Sequence, residues 1–265
     1  MAAVAVIRIC SPKADGVPPM VCWPEEVTSI IGQNVYLIEG GAFYTGAEYA
    51  SLDEGKLEAV AKDIALKNIE SVAISAVFSP IRRDIESRAA AIIAKHAPRA
   101  LITKSADIGG IGLVDRENAS IINASLAPFA KTIVSSMEEA FRSLGIKKSM
   151  LFSQNNGTLI SSAQVRDFPI FTCSAGPTNS IRGAGFLTGS TDAIVVDVGG
   201  TTTDIGFLAN GFPRETSGAN YVGGVRTNFN MPDILSIALG GGTIISSHGS
   251  DPKVGPESVG FHLPR

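Results

Sequence analysis

The segment AIVVDVGGTTTDIGFL, residues 193–208, is the most informative part of this sequence. Two apolar runs, 193–198 and 205–208, flank the adjacent glycines Gly199 and Gly200. A run that is nearly all apolar is typical of a strand that is covered on both faces. The segment therefore predicts a β-hairpin whose two strands both lie inside a sheet, with the two glycines at the turn.

Polar groups are concentrated around this turn. Asp197 stands near the end of the first apolar run, where a carboxylate is costly to bury unless it has a partner or a function. Adjacent glycines let the backbone approach a ligand closely and direct successive amide N–H groups toward an anion. Three threonines follow, and Asp204 adds a second carboxylate. We therefore interpret 197–204 as a phosphate-binding loop.

Other interpretations of a glycine-rich turn fit less well. A Walker loop requires G-x-x-x-x-G-K-[S/T], which the sequence lacks. A dinucleotide fingerprint requires three glycines that open a helix, and the nearest segment, 183–185 (GAG), misses the third. A helix beginning at Thr201 would revive that interpretation. An ordinary tight hairpin is the structural alternative, although it has no need for two acids and three hydroxyl groups.

Two further loops are compatible with a phosphate site. In the segment 174–180 (SAGPTNS), Ser174 or Gly176 can cap a helix with Pro177 at its first position. The exposed N-terminus of that helix would attract an anion, although a plain cap explains the loop equally well. The second loop consists of Gly240, Gly241 and Gly242. It could admit a nucleotide base or phosphate, and a flexible turn is the alternative interpretation.

The first half of the chain alternates apolar runs with helical patterns. Strands are predicted at 4–9, 34–39, 71–78 and 100–103, and helices from Leu52 and over 85–96. This alternation predicts a parallel sheet with crossover helices. A longer helical pattern, 116–144, is interrupted by Pro128. We place a domain boundary within it, which gives the domains 1–125 and 126–265.

The composition excludes several classes of function. Of the 265 residues, 45% are hydrophobic, 18% are charged and 28 are glycine, which is typical of a compact α/β protein. A net charge of −3 provides no basic field for nucleic acid or an anionic membrane, and no apolar run approaches a membrane span. The three cysteines and three histidines lack zinc-ligand spacing. We therefore expect no zinc, no disulfide and a cytoplasmic location.

Several motifs together resemble the hydantoinase/oxoprolinase family, and more narrowly the A subunit of hydantoin-utilisation enzymes. In the second half they are SAGP from Ser174, DVGGTTTD from Asp197, DILSIALGGGTI from Asp233 and VGPESVG from Val254. In the first half they are VYLIEGG from Val35, SVAISAVFSP from Ser71 and IGLVDRENASIINASL from Ile111. The resemblance covers nearly the whole chain, and the order of the motifs makes it specific.

The resemblance implies an actin-like ATPase (ribonuclease H-like) fold that uses ATP and Mg²⁺ to open a cyclic amide such as 5-oxoproline or a hydantoin. Phosphorylation of the amide oxygen would convert a poor electrophile into one that water can attack. As the catalytic residues, Asp197 would hold Mg²⁺ or orient the attacking oxygen, and Asp204 would support the metal or the loop. The implied cofactor-binding residues are Gly199, Gly200, Thr201, Thr202, Gly240, Gly241 and Gly242.

The sequence also departs from the family pattern. Family members begin with an earlier Asp-x-Gly-Gly-Thr hairpin, which supplies a first phosphate loop, and they continue well beyond the position of Arg265. We therefore expect a truncated or shortened member with an incomplete fold. In the glycine-rich segment, Leu239 replaces a small residue of the family.

Three functions remain open at this point. The first is ATP-dependent hydrolysis of a cyclic amide, with a B-type subunit as a possible partner. The second is a subunit of an ATP-dependent ketone carboxylase, and the third is a non-catalytic protein that binds a nucleotide or docks a subunit. A sugar kinase fits less well, because the SAGP and VGPESVG segments are not part of that resemblance.

Overall fold

The chain divides into two compact units. The computed structural model describes residues 1–11, 16–216, 218–248 and 251–262, apart from the side chains of His248 and Phe261. The first unit comprises Met1–Phe152, Ile160–Phe171 and Gly218–Phe229. The second comprises Ser153–Leu159, Thr172–Ser217 and Asn230–Arg265.

Helices and strands alternate in the first half of the chain, and strands dominate the end. The helices are α1 (Glu25–Ile31), α2 (Glu54–Leu66), α3 (Arg83–His96), α4 (Leu113–Ser143), α5 (Ser162–Asp167) and α6 (Ala175–Thr188). The first eight strands are β1 (Val4–Cys10), β2 (Val35–Glu39), β3 (Gly41–Ala42), β4 (Glu48–Ala50), β5 (Ser71–Ala76), β6 (Leu101–Lys104), β7 (Leu151–Ser153) and β8 (Leu159–Ser161). The remaining strands are β9 (Ala193–Val198), β10 (Thr203–Ala209), β11 (Phe212–Pro213), β12 (Asn220–Val222), β13 (Val225–Thr227), β14 (Ile234–Ile237), β15 (Thr243–His248) and β16 (Asp251–Ser258).

The main sheet of the first unit is parallel and has the strand order β2-β1-β5-β6. Its central strand β1 is buried at every position because helices cover both faces. Ala5, Ile7 and Ile9 pack in one cluster with residues of α2 and α3, whereas Val4 and Val6 pack on the other side with residues of α1 and α4. The predicted parallel sheet with crossover helices is confirmed.

Helix α4 is longer and more continuous than its sequence pattern indicates. It runs from Leu113 to Ser143 through Pro128, where an interruption was expected. Proline removes one backbone donor, but buried alanines before and after it, Ala124, Ala127 and Ala130, keep this stretch packed. The predicted boundary at 125/126 lies inside α4, and residues on both sides of it belong to the first unit.

Buried charges connect α4 and α3 to the parallel sheet. Arg8 on β1 donates from Nε to Glu117 Oε1 on α4 over 3.0 Å, and both side chains are almost fully buried. The same carboxylate oxygen accepts a bond from Ser75 Oγ over 2.7 Å. On α3, Glu86 is fully buried and accepts from the backbone amides of Ala76 and Ala106. Because these charges are paired or hydrogen-bonded, their burial is tolerated.

The main sheet of the second unit contains the predicted hairpin. β9 and β10 pair antiparallel from Ala193↔Leu208 to Val198↔Thr203, and β14 and β11 pair with the other edge of β10. The hairpin is therefore confirmed. The expectation that both strands lie inside the sheet is correct for β10 and wrong for β9, which pairs with β10 alone among the described residues.

One face of β9 is also uncovered, contrary to the sequence-based expectation. Ile194, Val196 and Val198 are 68%, 55% and 65% exposed, while the alternate residues face α6 and are partly buried. A run of apolar residues indicates a preference for burial on both faces, but what covers each face depends on the elements that surround the strand.

The described residues contain no helix that is both long and apolar enough to cross a membrane. Cys10, Cys22 and Cys173 are free thiols; Cys10 is buried, Cys22 is exposed and Cys173 is partly buried. Burial raises the pKa of the Cys10 and Cys173 thiols, so both remain protonated at neutral pH.

Candidate functional site

The turn between β9 and β10 consists of residues 199–202 and lies at the surface. The Gly199 amide donates to the Thr202 carbonyl over 2.8 Å. Within the described part of the chain, the amides of Gly200, Thr201 and Thr202 donate to no other group, and both threonines are exposed. Consecutive unpaired amides beside hydroxyl groups are donors that phosphate oxygens can use. The turn can therefore bind an anion without breaking a bond of its own.

The carboxylates of Asp197 and Asp204 lie side by side behind this turn. The two residues are direct cross-strand partners, so their side chains project from the same face of the sheet. Ser180 Oγ on α6 donates to Asp197 Oδ2 over 2.5 Å, and Ser236 Oγ on β14 donates to Asp204 Oδ1. Like charges directly opposite each other destabilise a strand pair. A cation bound to this pair would therefore stabilise it.

The carboxylate pair fits a magnesium ion. Among the described residues no group of three or more His, Cys, Asp or Glu side chains is placed to hold a metal. Mg²⁺ does not require such a group, because it is usually held by one or two carboxylates together with water and phosphate oxygens. Asp197 and Asp204 supply two carboxylates beside a turn with free amides. The metal role of Asp197 stays a prediction that the donor set favours.

The triple-glycine loop, residues 240–242, is hydrogen-bonded to the turn. The amide of Gly241 donates to the Gly199 carbonyl over 2.9 Å, and the amide of Gly242 donates to the Gly200 carbonyl over 2.7 Å. Two of its three amides are therefore occupied by the hairpin, while the Gly240 amide donates to Thr243 Oγ1 over 2.7 Å. Direct contact of these glycines with a nucleotide stays a prediction. Their observed role is to position the carbonyls, and hence the amides, of the turn.

Close backbone contact explains why glycine stands at the first position of this loop. A Cβ atom on Gly240 would lie 2.6 Å from the Gly199 carbonyl oxygen and 2.8 Å from the Thr201 nitrogen. Real side chains do not approach backbone atoms so closely. The same atom on Gly241 would meet only the Gly199 oxygen, at 3.9 Å. The loop therefore requires glycine at position 240 for packing, and not for a left-handed backbone conformation.

The VGPESVG motif also contacts the turn. Ser258 Oγ lies 3.3 Å from the Gly200 carbonyl oxygen, to which it donates, and accepts a bond from the Gly260 amide over 3.0 Å. The Val259 amide donates to the Gly242 carbonyl over 2.8 Å. The motif thus adds further hydrogen bonds to the turn at 199–202 and to the triple-glycine loop.

Helix α6 begins at the end of the sheet where the turn at 199–202 lies. Its Ser180 contacts Asp197 near the turn, whereas Gly185, one and a half turns later, faces Leu208 at the far end of β10. The helix therefore runs away from the turn, and its N-terminus lies at the turn end. Ser174 is the N-cap, in the left-handed conformation at φ 62° and without a side-chain cap bond. The expectation that Pro177 occupies the first position is wrong, because the helix already begins at Ala175.

Sequence reasoning did not identify three serines of this site: Ser180, Ser236 and Ser258. All three stand inside segments quoted above: Ser180 in SAGPTNS, Ser236 in DILSIALGGGTI and Ser258 in VGPESVG. Their partners are 17, 32 and 58 residues away along the chain. No local pattern reveals contacts at such separations. Only the position of a serine within a known motif could have suggested them.

Two family profiles match the chain. The profile described as hydantoinase/oxoprolinase matches residues 116–264. The profile described as hydantoinase/oxoprolinase N-terminal region matches residues 23–97.

Curated relatives share the sequence at moderate identity. The alpha subunit of caprolactamase from Pseudomonas jessenii is 27% identical over 234 residues, which are 84% of this chain and 33% of that protein. The gamma subunit of acetophenone carboxylase from Aromatoleum aromaticum is 21% identical over 228 residues, 82% of this chain and 31% of that protein. The chain thus spans about a third of the length of these relatives.

Solved structures share the fold. Nucleotide-free acetone carboxylase superposes with a TM-score of 0.71 at 17% identity, covering 99% of this chain and 40% of that one. The ATP-dependent caprolactamase from Pseudomonas jessenii superposes with a TM-score of 0.76 at 22% identity, covering 97% of this chain and 39% of that one. The predicted α/β fold of the actin-like ATPase type is confirmed. With more than half of its residues matched by the first profile, the chain belongs to the hydantoinase/oxoprolinase family.

Proposed function

We propose that this chain supplies the phosphate- and metal-binding part of an ATP-dependent enzyme that hydrolyses a cyclic amide. The observation that carries the proposal is the site itself: a turn with three free amides that joins two strands carrying adjacent carboxylates. Membership of the hydantoinase/oxoprolinase family and the likeness to an ATP-dependent caprolactamase support the substrate class.

The chain's own groups have distinct tasks in this proposal. The amides of Gly200, Thr201 and Thr202 bind phosphate oxygens of ATP, and Asp197 and Asp204 hold Mg²⁺ against them. Bound Mg²⁺ neutralises charge that develops on the transferred phosphoryl group. The phosphoryl group is passed to the amide oxygen of the substrate and ADP leaves. Water then attacks the ring carbon, and the C–N bond breaks as a proton passes to the leaving nitrogen, which leaves an acyl phosphate. A second water hydrolyses the acyl phosphate to the carboxylate and free phosphate.

The proposal extends to partners and location. Both curated relatives are named as subunits, which supports a B-type partner subunit for this chain as well. Scattered, unpaired cysteines support a reducing compartment, and we place the protein in the cytoplasm. 5-Oxoproline, a hydantoin and a lactam are the candidate substrates.

A second candidate function is that of a subunit in an ATP-dependent ketone carboxylase. It is favoured by the acetophenone carboxylase gamma subunit among the relatives and by the fold of acetone carboxylase. Both functions would use the same phosphate site, since both depend on ATP. Products formed from a lactam with ATP, or from a ketone with bicarbonate and ATP, distinguish them.

Nucleotide binding tests the site. Calorimetry with ATP and Mg²⁺ on the unmodified chain and on Asp197→Asn should show that the substitution abolishes Mg²⁺-dependent binding, because one of two metal-binding carboxylates is neutralised. The matched control is Asp251→Asn, an exposed acid of the same unit on β16. Equal affinities for all three proteins would show that the turn is an ordinary hairpin and would remove the basis of the proposed function.

A further inference from the structure

We propose that Ser180 and Ser236 are positioning residues that hold one oxygen of each carboxylate and leave the other oxygen of each for a single divalent cation. The inference rests on the proposed function, because it concerns the cation site of Asp197 and Asp204. It adds two residues to that site and states how each carboxylate meets the metal.

Three of the four side chains form a row across the sheet, and the fourth comes from the helix that packs on it. Ser180 comes from α6, Asp197 from β9, Asp204 from β10 and Ser236 from β14. The register sets this order, because Asp204 pairs with Asp197 on one side and with Ser236 on the other. The two acids thus stand side by side, with Ser236 beside Asp204 on the next strand and Ser180 in contact with Asp197 from the helix.

Each serine occupies one named oxygen. Ser180 Oγ donates to Asp197 Oδ2, and Ser236 Oγ donates to Asp204 Oδ1. Asp197 Oδ1 and Asp204 Oδ2 have no donor among the described residues. One free oxygen on each of two neighbouring carboxylates is a donor set that a divalent cation can bind with one bond to each.

The bond made by Ser180 departs from the behaviour of other hydroxyl residues on the same helix. Serine and threonine inside helices commonly donate to the carbonyl four residues earlier. Thr178 and Thr188 of α6 do so, to the carbonyls of Ser174 and Ala184 over 2.9 and 2.8 Å. Ser180 instead donates across to β9. Its hydroxyl is therefore committed to the carboxylate and not to the helix.

A purely structural role explains the two bonds less well. A hydroxyl cannot neutralise a carboxylate, so the repulsion between adjacent acids persists when both serines are bonded. Ser236 is exposed, and an exposed serine gains little stability from a bond that water could replace. What the bonds do determine is the rotation of each carboxylate. That rotation decides which oxygen faces the neighbouring acid.

The test uses Mn²⁺ alone as the probe, with free ion measured by electron paramagnetic resonance during titration of the purified chain. Ser180→Ala and Ser236→Ala should each weaken Mn²⁺ binding by about threefold to tenfold, since a hydrogen bond to a charged group is lost. Ser236→Thr keeps a hydroxyl and suits a strand, so it should bind like the unmodified chain. Ser246→Ala on β15 is the matched control and should change nothing.

The outcomes separate this inference from the function on which it rests. If Asp197→Asn and Asp204→Asn lose Mn²⁺ while both serine-to-alanine variants bind it normally, the positioning role is wrong and the cation site stands. If Ser180→Ala or Ser236→Ala weakens Mn²⁺ binding only in proportion to its loss of thermal stability, the serines are merely structural. The same conclusion follows if Ser236→Thr binds Mn²⁺ as weakly as Ser236→Ala. An unmodified chain without Mn²⁺ binding, or aspartate variants that bind normally, would overturn the cation site itself.

Discussion

Gly240 shows how the absence of a side chain permits close packing against the turn at 199–202. Its Cα lies so close to the turn that a Cβ would come within 2.6 Å of the Gly199 carbonyl oxygen. Because the obstructing atoms belong to the backbone, no side-chain rotation can relieve the contact. The neighbouring Gly241 has no such restriction, although it contributes a backbone bond to the same turn.

This contrast leads to a prediction at the scale of one residue. Gly240→Ala should displace the turn, reduce nucleotide binding and destabilise the second unit by about 1–3 kcal/mol, as overpacked sites do. Gly241→Ala adds the same methyl group where the nearest atom is 3.9 Å away and should leave both properties nearly unchanged. Thermal unfolding and calorimetry on the two variants provide the comparison. Equal effects would show that the close approach does not control the turn.

At the scale of elements, α4 contributes the glutamates of two arginine–glutamate pairs that differ in burial. Glu117 pairs with Arg8 of β1, and their side chains are 1% and 2% exposed. Glu138 pairs with Arg166 of α5, and both of these side chains are about a third exposed. Water screens the second pair and is excluded from the first, so loss of the carboxylate has different consequences at the two positions.

We therefore predict unequal effects from the same substitution on one helix. Glu117→Gln should destabilise the protein by about 3–5 kcal/mol, because it leaves the Arg8 guanidinium buried without a counter-charge. Glu138→Gln should have little effect, since both partners remain in contact with water. Urea unfolding measures both. Similar midpoints for the two variants would contradict the structural importance of the buried pair.

At the scale of the whole molecule, the 265 residues contain a single Asp-x-Gly-Gly-Thr motif. The relatives are about three times longer than the matched segment. In the actin-like ATPases that the sequence resembles, two hairpins grip the triphosphate from opposite domains. Closure of such a cleft excludes water and aligns the reacting groups.

We predict that this chain by itself binds ATP with Mg²⁺ weakly and hydrolyses it at a rate close to background. The turn at 199–202 offers amides and carboxylates from one side, so phosphate can bind but the substrate is not oriented from both sides. Release of phosphate from ATP, with and without 5-oxoproline or a lactam, measures this. An enzyme-like rate from the purified chain would show that a second phosphate loop exists elsewhere in these residues.

Local residue patterns were sufficient to predict much of this protein. The apolar runs and the glycine pair determined the hairpin of β9 and β10, because alternation, turn residues and strand length act over a few neighbours. The same holds for the parallel sheet of the first unit. The two acids of the motif were also recognisable, since a carboxylate at the end of an apolar run is unusual in itself.

Only the tertiary structure decided how the parts of the site meet. β9 proved to be an edge strand with an uncovered face, and the Gly241 and Gly242 amides proved to bind the turn's carbonyls. Ser180 and Ser236 reached the carboxylates from other elements. These features depend on which segments, distant in sequence, pack together. The packing of the sheet against its helix determines those contacts. The residues next to a given position in the sequence do not indicate which distant segment it will contact.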